Sequence, residues 1–263
     1  SIQSAQLDSE ILMALALDTN REYIILNNNK FLEKKNLRYF KKLIQERATR
    51  KPIAYFLNKK FFWNSDFYVN KNTLIPRPDT EIVVEEVLKL TKNKNKLNIL
   101  DIGIGSGCIL LSILKERKNF YGTGLDICKN SLELSKKNAK NLHLEGKVKF
   151  YKSDVDKFNR GKYDLIVSNP PYIKSCDLKY LESDVINFEP KLALDGGLDG
   201  LSEIRKVIKK SSELIKKNGK LILEIGFNQK NKVIKLLNKK GFYINSTLKD
   251  LGKNDRCIVS TKI

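Results

Sequence analysis

Apolar positions in the first fifty residues recur every three or four. Ile11, Leu12, Leu15 and Ala16 form one such set, and Leu37, Phe40, Leu43 and Ile44, with Arg47 in step, form another. That spacing predicts amphipathic helices, and residues 1–50 hold no proline or glycine to interrupt them. Pro52 is expected to end the last of these helices, because proline lacks a backbone donor and restricts the residue before it. Phe61-Phe62-Trp63 and Phe67-Tyr68-Val69 flank Asn64-Ser65-Asp66, which predicts an aromatic-rich hairpin.

From Leu97 the pattern changes to short apolar runs alternating with helical periodicity. Strands are expected at residues 98–102, 121–127, 148–151, 163–168, 220–225, 242–248 and 256–261. Helices are expected at 109–118, 130–142, 198–217 and 228–240. Such alternation predicts a parallel sheet with helices on both faces. The last two strands are joined by too short a loop for a parallel crossover, so one of them must run antiparallel. The expected fold class is α/β: a seven-stranded, mostly parallel sheet with antiparallel last strands, preceded by a small all-helical domain. The expected boundaries are 1–52 for the helical domain, 53–75 for a linker with the hairpin, and 76–263 for a Rossmann-like domain.

Composition narrows the setting. Hydrophobic residues make up 41% of the 263, in runs that never approach the roughly 20 residues needed to span a bilayer. The start, Ser1-Ile2-Gln3-Ser4, has neither the basic nor the apolar region of a secretory signal, and its lack of Met leaves room for residues upstream. Cys108, Cys128, Cys176 and Cys257 are far apart, so neither a disulfide framework nor a metal site is expected, and a cytoplasmic setting is. The net charge of +20 raises the question of nucleic acid. The lysines are spread along the whole chain, as in Thr91-Lys92-Asn93-Lys94-Asn95-Lys96, and read better as a solvated surface than as a concentrated footprint.

Candidate chemistry begins at Asp101-Ile102-Gly103-Ile104-Gly105-Ser106-Gly107, which follows the first strand of the alternating region and opens a helix. Glycines there let the backbone turn sharply and let a ligand approach. The dinucleotide pattern G-x-G-x-x-G fails by register, because Cys108 stands where its last glycine belongs. S-adenosyl-L-methionine, which carries no phosphate, suits the loop better, with Asp101 facing its ammonium. Asp126 ends the next strand, where a carboxylate can accept from both ribose hydroxyls. Asp154, beside Val155, ends the third and could accept from an adenine amino group. Each aspartate alone could be a helix cap or turn residue. Three at successive strand ends mark the sheet edge at which open α/β folds bind ligands.

The fourth strand runs into Asn169-Pro170-Pro171-Tyr172. Two prolines stop a ladder, but that does not explain the flanking Asn and Tyr. A planar NH2 nitrogen is a poor nucleophile because its lone pair is delocalised. Two acceptors, the Asn169 side-chain oxygen and the Pro170 carbonyl, could take both N–H bonds and turn the lone pair outward. Tyr172 could stack on the planar group. Methyl transfer then rests on positioning and electrostatics. No prior general base is needed, and the lone histidine, His143, is expected to be structural or exposed. The tetrapeptide alone leaves adenine, cytosine and glutamine amide open as acceptors.

Leu74-Ile75-Pro76-Arg77-Pro78-Asp79-Thr80-Glu81, the glycine loop, the tetrapeptide, Phe188-Glu189-Pro190 and Leu194-Asp195-Gly196-Gly197-Leu198-Asp199-Gly200 together resemble the release factor glutamine methyltransferases, the HemK/PrmC family, over essentially the whole chain. The resemblance implies the class I S-adenosylmethionine-dependent methyltransferase fold. It also implies methylation of the glutamine amide in the Gly-Gly-Gln loop of class I peptide chain release factors, with the helical domain helping to grip that protein. By the same resemblance Gly103–Gly107 (Ile104 and Ser106 included), Asp126 and Asn169 would contact the cofactor, and Asn169, Pro170, Pro171 and Tyr172 would hold the glutamine. Arg77 and Glu81 either lie near the entrance or form an ion pair at a helix start. Two positions depart from the family pattern: Ile104 replaces a frequent threonine, and Val155 a tryptophan found in some members. A base-modifying enzyme would normally carry a recognition domain, and none is visible.

Overall fold

The computed structural model describes residues 2 and 4–263. The N-terminal periodicity becomes α1 (Ala5–Ala16) and α3 (Lys34–Ala48), with α2 (Arg21–Leu26) between them and α4 (Ile53–Leu57) after them. Leu12, Ala16, Leu43 and Phe56 form a small core of their own. Pro52 does not end the last helix, as its lack of a donor suggested. Helix α3 stops at Ala48, and Pro52 caps the start of α4 with φ −59°. A helix start is where proline's missing N–H costs nothing, since those donors lack partners anyway. Residues 53–57, read as linker, therefore pack as helix through Phe56.

The hairpin forms from β1 (Lys59–Phe62) and β2 (Ser65–Tyr68), paired antiparallel. Phe62 and Phe67 meet edge to face at 6.1 Å. A 3₁₀ turn at Pro78–Thr80 leads into α5 (Glu81–Leu90). The alternating region follows as β3 (Asn98–Ile102), α6 (Cys108–Glu116), β4 (Tyr121–Asp126), α7 (Lys129–Asn141), β5 (Val148–Lys152) and β6 (Tyr163–Ser168). A short α8 (Ser183–Ile186), α9 (Ser202–Leu214), β7 (Ile215–Glu224), α10 (Lys230–Lys239), β8 (Phe242–Lys249) and β9 (Asp255–Lys262) complete the chain.

The seven strands order as β5-β4-β3-β6-β7-β9-β8. All pairs from β5 to β7 are parallel, and β9 runs antiparallel between β7 and β8. Side chains alternate across the sheet with period two. Ile99, Leu165, Val167 and Ile222 join α5, α6 and α7 on one face, while Leu100, Ile166, Leu221 and Leu223 join α9 and α10 on the other.

Two neighbouring elements depart most from their expected spans. The helix read at 198–217 starts only at Ser202 and stops at Leu214. Gly200 sits at φ +74°, which a helix cannot contain. Ile215 already pairs with Tyr163 as the first residue of β7.

Among the described residues no helix is long and apolar enough to cross a membrane. The chain order reverses between β3 and β6, and at that switch point the C-terminal strand ends open a crevice.

Candidate active site

The crevice is floored by the loop between β3 and α6. Gly103, Gly105 and Gly107 have φ of +77°, +55° and +84°, a region that side chains strain to enter. The N–H groups of Gly103 and Ile104 both donate to the Leu125 carbonyl, at 2.8 and 3.0 Å. The loop is also tied from behind by α7. Ser135 Oγ donates to the Gly105 carbonyl at 2.6 Å, and Asn138 Nδ2 donates to the Ser106 carbonyl at 2.8 Å. Ile104 lies so close over β4 that a Cβ on Gly124 would stand 2.3 Å from its Cδ1. The isoleucine thus wedges the loop against the sheet by packing where a threonine would offer a hydroxyl.

A cavity of about 370 Å³ opens over this floor. Of the residues singled out from sequence, Gly103, Ile104, Gly105, Ser106, Asp126, Asp154, Val155, Asn169, Pro170 and Pro171 line it. Asp126 accepts from the N–H of Gly105 at 3.0 Å and of Cys128 at 2.8 Å, which fixes its carboxylate at the rim. Desolvation raises its pKa against the pull of those donors. Asp154 accepts from the Asp156 N–H at 2.9 Å and so caps a 3₁₀ turn while facing the cavity. Val155, Leu125, Ile127 and Val207 give that end an apolar wall.

Three singled-out residues do not line the cavity. Gly107 serves the turn into α6, where a Cβ would meet Leu111 Cδ1 at 2.9 Å. Asp101 lies within β3, fully buried, and by strand alternation it faces the apolar side under α5 and α6. Neither of its oxygens accepts a well-formed hydrogen bond, and burial pushes its pKa up to about 7. Tyr172 is half-buried and turned inward, its hydroxyl 3.4 Å from both Glu224 Oε1 and Arg256 Nη1. Its ring packs with the core beneath α9 and α10, and Tyr172 is not among the residues that line the cavity. His143 is exposed, at φ +56° beyond the end of α7.

The tetrapeptide leaves β6 and is cradled by residues 194–200. Ile173 N–H donates to the Leu194 carbonyl at 3.1 Å, and Gly196 N–H returns a bond to the Ile173 carbonyl at 2.7 Å. Gln229 Nε2 donates to the carbonyls of both Tyr172 and Gly200 at 2.9 Å. A Cβ on Gly200 would stand 2.5 Å from the Tyr172 oxygen, so only glycine lets these two backbones meet. Asn169, half-buried, keeps its side chain on the cavity wall and donates from Nδ2 to Thr80 Oγ1 at 3.2 Å. Among the described residues no protein donor reaches the Pro170 carbonyl.

Arg77 and Glu81 do not pair with each other. Arg77 lines the cavity and forms a close ion pair with the buried Glu189, whose other oxygen accepts from Ile75 N–H at 2.9 Å. Glu81 accepts from the Trp63 N–H at 2.8 Å, which anchors the hairpin turn to α5.

The architecture also has sequence relatives. The family model described as PrmC N-terminal domain matches residues 1–57, and that described as Methyltransferase small domain matches residues 79–189. A release factor glutamine methyltransferase of Shewanella oneidensis is 37% identical over 258 residues, covering 98% of this chain and 89% of that protein. One from Clostridium acetobutylicum is also 37% identical, covering 97% and 90%. The chain belongs to the release factor glutamine methyltransferase family. Among solved structures, a methyltransferase from Pyrococcus furiosus shares the fold at 18% identity, with a TM-score of 0.58 over 83% of this chain and 98% of that one.

In this methyltransferase several residues that support the site were given no role from sequence, although Thr80 and Glu189 lie in the motif segments. Thr80, Ser135, Asn138, Glu189, Glu224 and Gln229 each reach a loop far away in the chain. For Ser135 and Asn138 the available hint is a buried polar residue inside an apolar helix face of α7.

Proposed function

We propose that this enzyme transfers a methyl group from S-adenosyl-L-methionine to the side-chain amide nitrogen of the glutamine in the Gly-Gly-Gln loop of class I peptide chain release factors, in the cytoplasm. The observation that carries the reading is the placement of Asn169, Pro170 and Pro171 on the same cavity wall system as the glycine loop, Asp126 and Asp154. The shared name of the relatives supports a protein glutamine over a nucleic-acid base as the acceptor.

The residues fit the cofactor. The cavity combines an apolar end at Val155 and Val207 with carboxylates at two strand ends and a backbone loop without side-chain bulk. Asp126 has lone pairs left for a diol after its two backbone bonds, and Asp154 for an amino group. When bound, S-adenosyl-L-methionine supplies an electrophilic methyl on a sulfonium and a neutral thioether leaving group. The chain's own part is to hold the acceptor nitrogen. Asn169 Oδ1 and the Pro170 carbonyl take its two N–H bonds and so direct the lone pair at the methyl group. Tyr172 supports the loop through its inward hydroxyl, and Arg77, held by Glu189, stands at the mouth.

The test is transfer of label from the cofactor to a purified release factor and to its Gly-Gly-Ala version. Label on the first alone is expected. Equal label on both, or label on nucleic acid instead, overturns the reading. Asn169→Ala is expected to abolish transfer with the fold retained; unchanged turnover contradicts the role given to Asn169.

A further inference from the structure

Strand β9 runs antiparallel beside β7, so it begins at the edge where the parallel strands end. Its second residue, Arg256, is fastened there by its own backbone, because the Ile225 N–H donates to the Arg256 carbonyl at 2.9 Å. The reversal of this one strand therefore brings a cation to the edge that holds the tetrapeptide.

One side of the guanidinium is braced. Nε and Nη2 donate to Asp250 Oδ2 at 3.0 and 2.8 Å. The Asp250 side chain is 2% exposed, and its Oδ1 accepts from the Asn254 N–H at 2.9 Å, so the turn between β8 and β9 holds it. The other contacts reach toward the site. Nη2 lies 3.6 Å from Asp79 Oδ2, and Nη1 lies 3.4 Å from both the Tyr172 hydroxyl and the Ile225 carbonyl. Asp79 sits in the 3₁₀ turn Pro78–Thr80, and its neighbour Thr80 accepts from Asn169 Nδ2 at 3.2 Å. Arg256 is thus linked to both ends of the tetrapeptide: to Asn169 by way of Asp79 and Thr80, and to Tyr172 directly. It does not itself line the cavity.

The Asp79 side chain is 47% exposed. An ion pair this open adds little to stability, so its worth lies in geometry. Only a planar fork can meet Asp250, Asp79 and Tyr172 at once; a lysine ammonium is a single point of charge. We propose that Arg256 is a positioning residue for methyl transfer: it keeps the turn that holds Asn169 and the Tyr172 end of the tetrapeptide at one spacing, so that Asn169 Oδ1 and the Pro170 carbonyl stay set for the acceptor amide. The proposal rests on the reading of Asn169 and Pro170 as the acceptors of that amide.

The test uses the full chain and the variants Arg256→Lys, Asp79→Ala and the two combined. Arg256→Lys keeps the charge and loses the fork. It is expected to lower kcat by about 10-fold or more, with KM for the release factor and affinity for S-adenosylhomocysteine within about threefold of wild type. Asp79→Ala is expected to lower kcat by a smaller factor, and the double variant to fall no further than Arg256→Lys, since both changes break one contact. A second measurement needs no acceptor substrate. The Asn169 side-chain NH2 signals, identified in a ¹⁵N spectrum by their loss in Asn169→Asp, are expected to move in both single variants. A folded Arg256→Lys with wild-type kcat overturns the proposal, however far its unfolding midpoint has dropped, and leaves the proposed function standing. If Arg256→Lys does not fold, Asp79→Ala decides: wild-type kcat or unmoved NH2 signals overturn the proposal. If the wild type labels no release factor, the function reading fails, and the NH2 signals alone decide the role of Arg256: signals unmoved in both single variants overturn it.

Discussion

Arg47 Nη1 donates to Asp184 Oδ2 at 2.9 Å, joining α3 to the short helix α8 across 137 positions of sequence. Its Nε holds Asp8 of α1 at 2.8 Å, so one guanidinium ties two helices of the N-terminal bundle to the segment that follows the tetrapeptide. Arg47 and Asp8 are both buried. Arg47→Met should leave the Asp8 charge without its partner and lower stability by about 3–5 kcal/mol. Urea unfolding of the variant checks this. In the Asp8→Asn, Arg47→Met double variant the loss should be smaller, since the stranded charge is gone.

The pH dependence of stability should follow Asp101. Burial raises its pKa from 3.8 to about 7, so its proton is bound more tightly in the folded chain than in the unfolded one. Stability from this group is fully present below the unfolded value and is lost as pH rises through the folded one. The displacement corresponds to at most about 4 kcal/mol. Glu224, raised to about 7 by burial, acts in the same direction. Unfolding free energies measured between pH 5 and pH 8 should fall in the wild type. The fall should be shallower in Asp101→Asn; an unchanged slope would remove Asp101 from this account.

Asn138 should matter to the cofactor without touching the cavity. Its Oδ1 accepts from the Tyr68 N–H at 2.7 Å, while Nδ2 serves the carbonyls of Tyr68 and Ser106. Asn138→Ala strands these groups at about 1–3 kcal/mol for each one buried. Calorimetric titration should show S-adenosylhomocysteine binding weakened by about 10-fold or more, as the glycine loop loses its rear anchor. Asn138→Asp should be worse, because it sets a carboxylate against two carbonyls.

Gly200→Ala tests the cradle of the tetrapeptide. The new Cβ would press on the Tyr172 carbonyl from 2.5 Å at a backbone of φ +74°. A shift there displaces the neighbouring acceptors, so kcat should drop by about 10-fold or more. Cofactor affinity should stay within about twofold of wild type. Steady-state kinetics beside a binding titration separates the two.

The parts of this site that could be read from sequence are those in which neighbouring residues act together. The glycine loop and Asn169-Pro170-Pro171 are each a single run of sequence, and β3 and β6 each end where one of those runs begins. Thr80, Glu189 and Glu224 act across long separations in the chain, and no periodicity marks them. An aromatic beside a reactive group suggests stacking for Tyr172, and sequence gives no sign that its hydroxyl lies 3.4 Å from Glu224 and Arg256 beneath the loop. A strand-end carboxylate suggests a ligand for Asp101, whereas alternation along β3 places it under α5 and α6, which the residue's position in sequence does not reveal. Apolar spacing makes helix α9 too long because it cannot register the positive φ at Gly200 or the pairing of Ile215 with Tyr163.

Gln229 also receives the Gly226 N–H on Oε1 at 2.9 Å, so a single side-chain amide staples three backbone segments around the tetrapeptide. The conformational freedom of that loop is therefore lost when the chain folds, not when a partner arrives. On the proposed role of Asn169 and Pro170, a substrate would meet acceptors already preorganised, and its binding free energy would not be diminished by the roughly 1–2 kcal/mol per residue that ordering a slack loop requires.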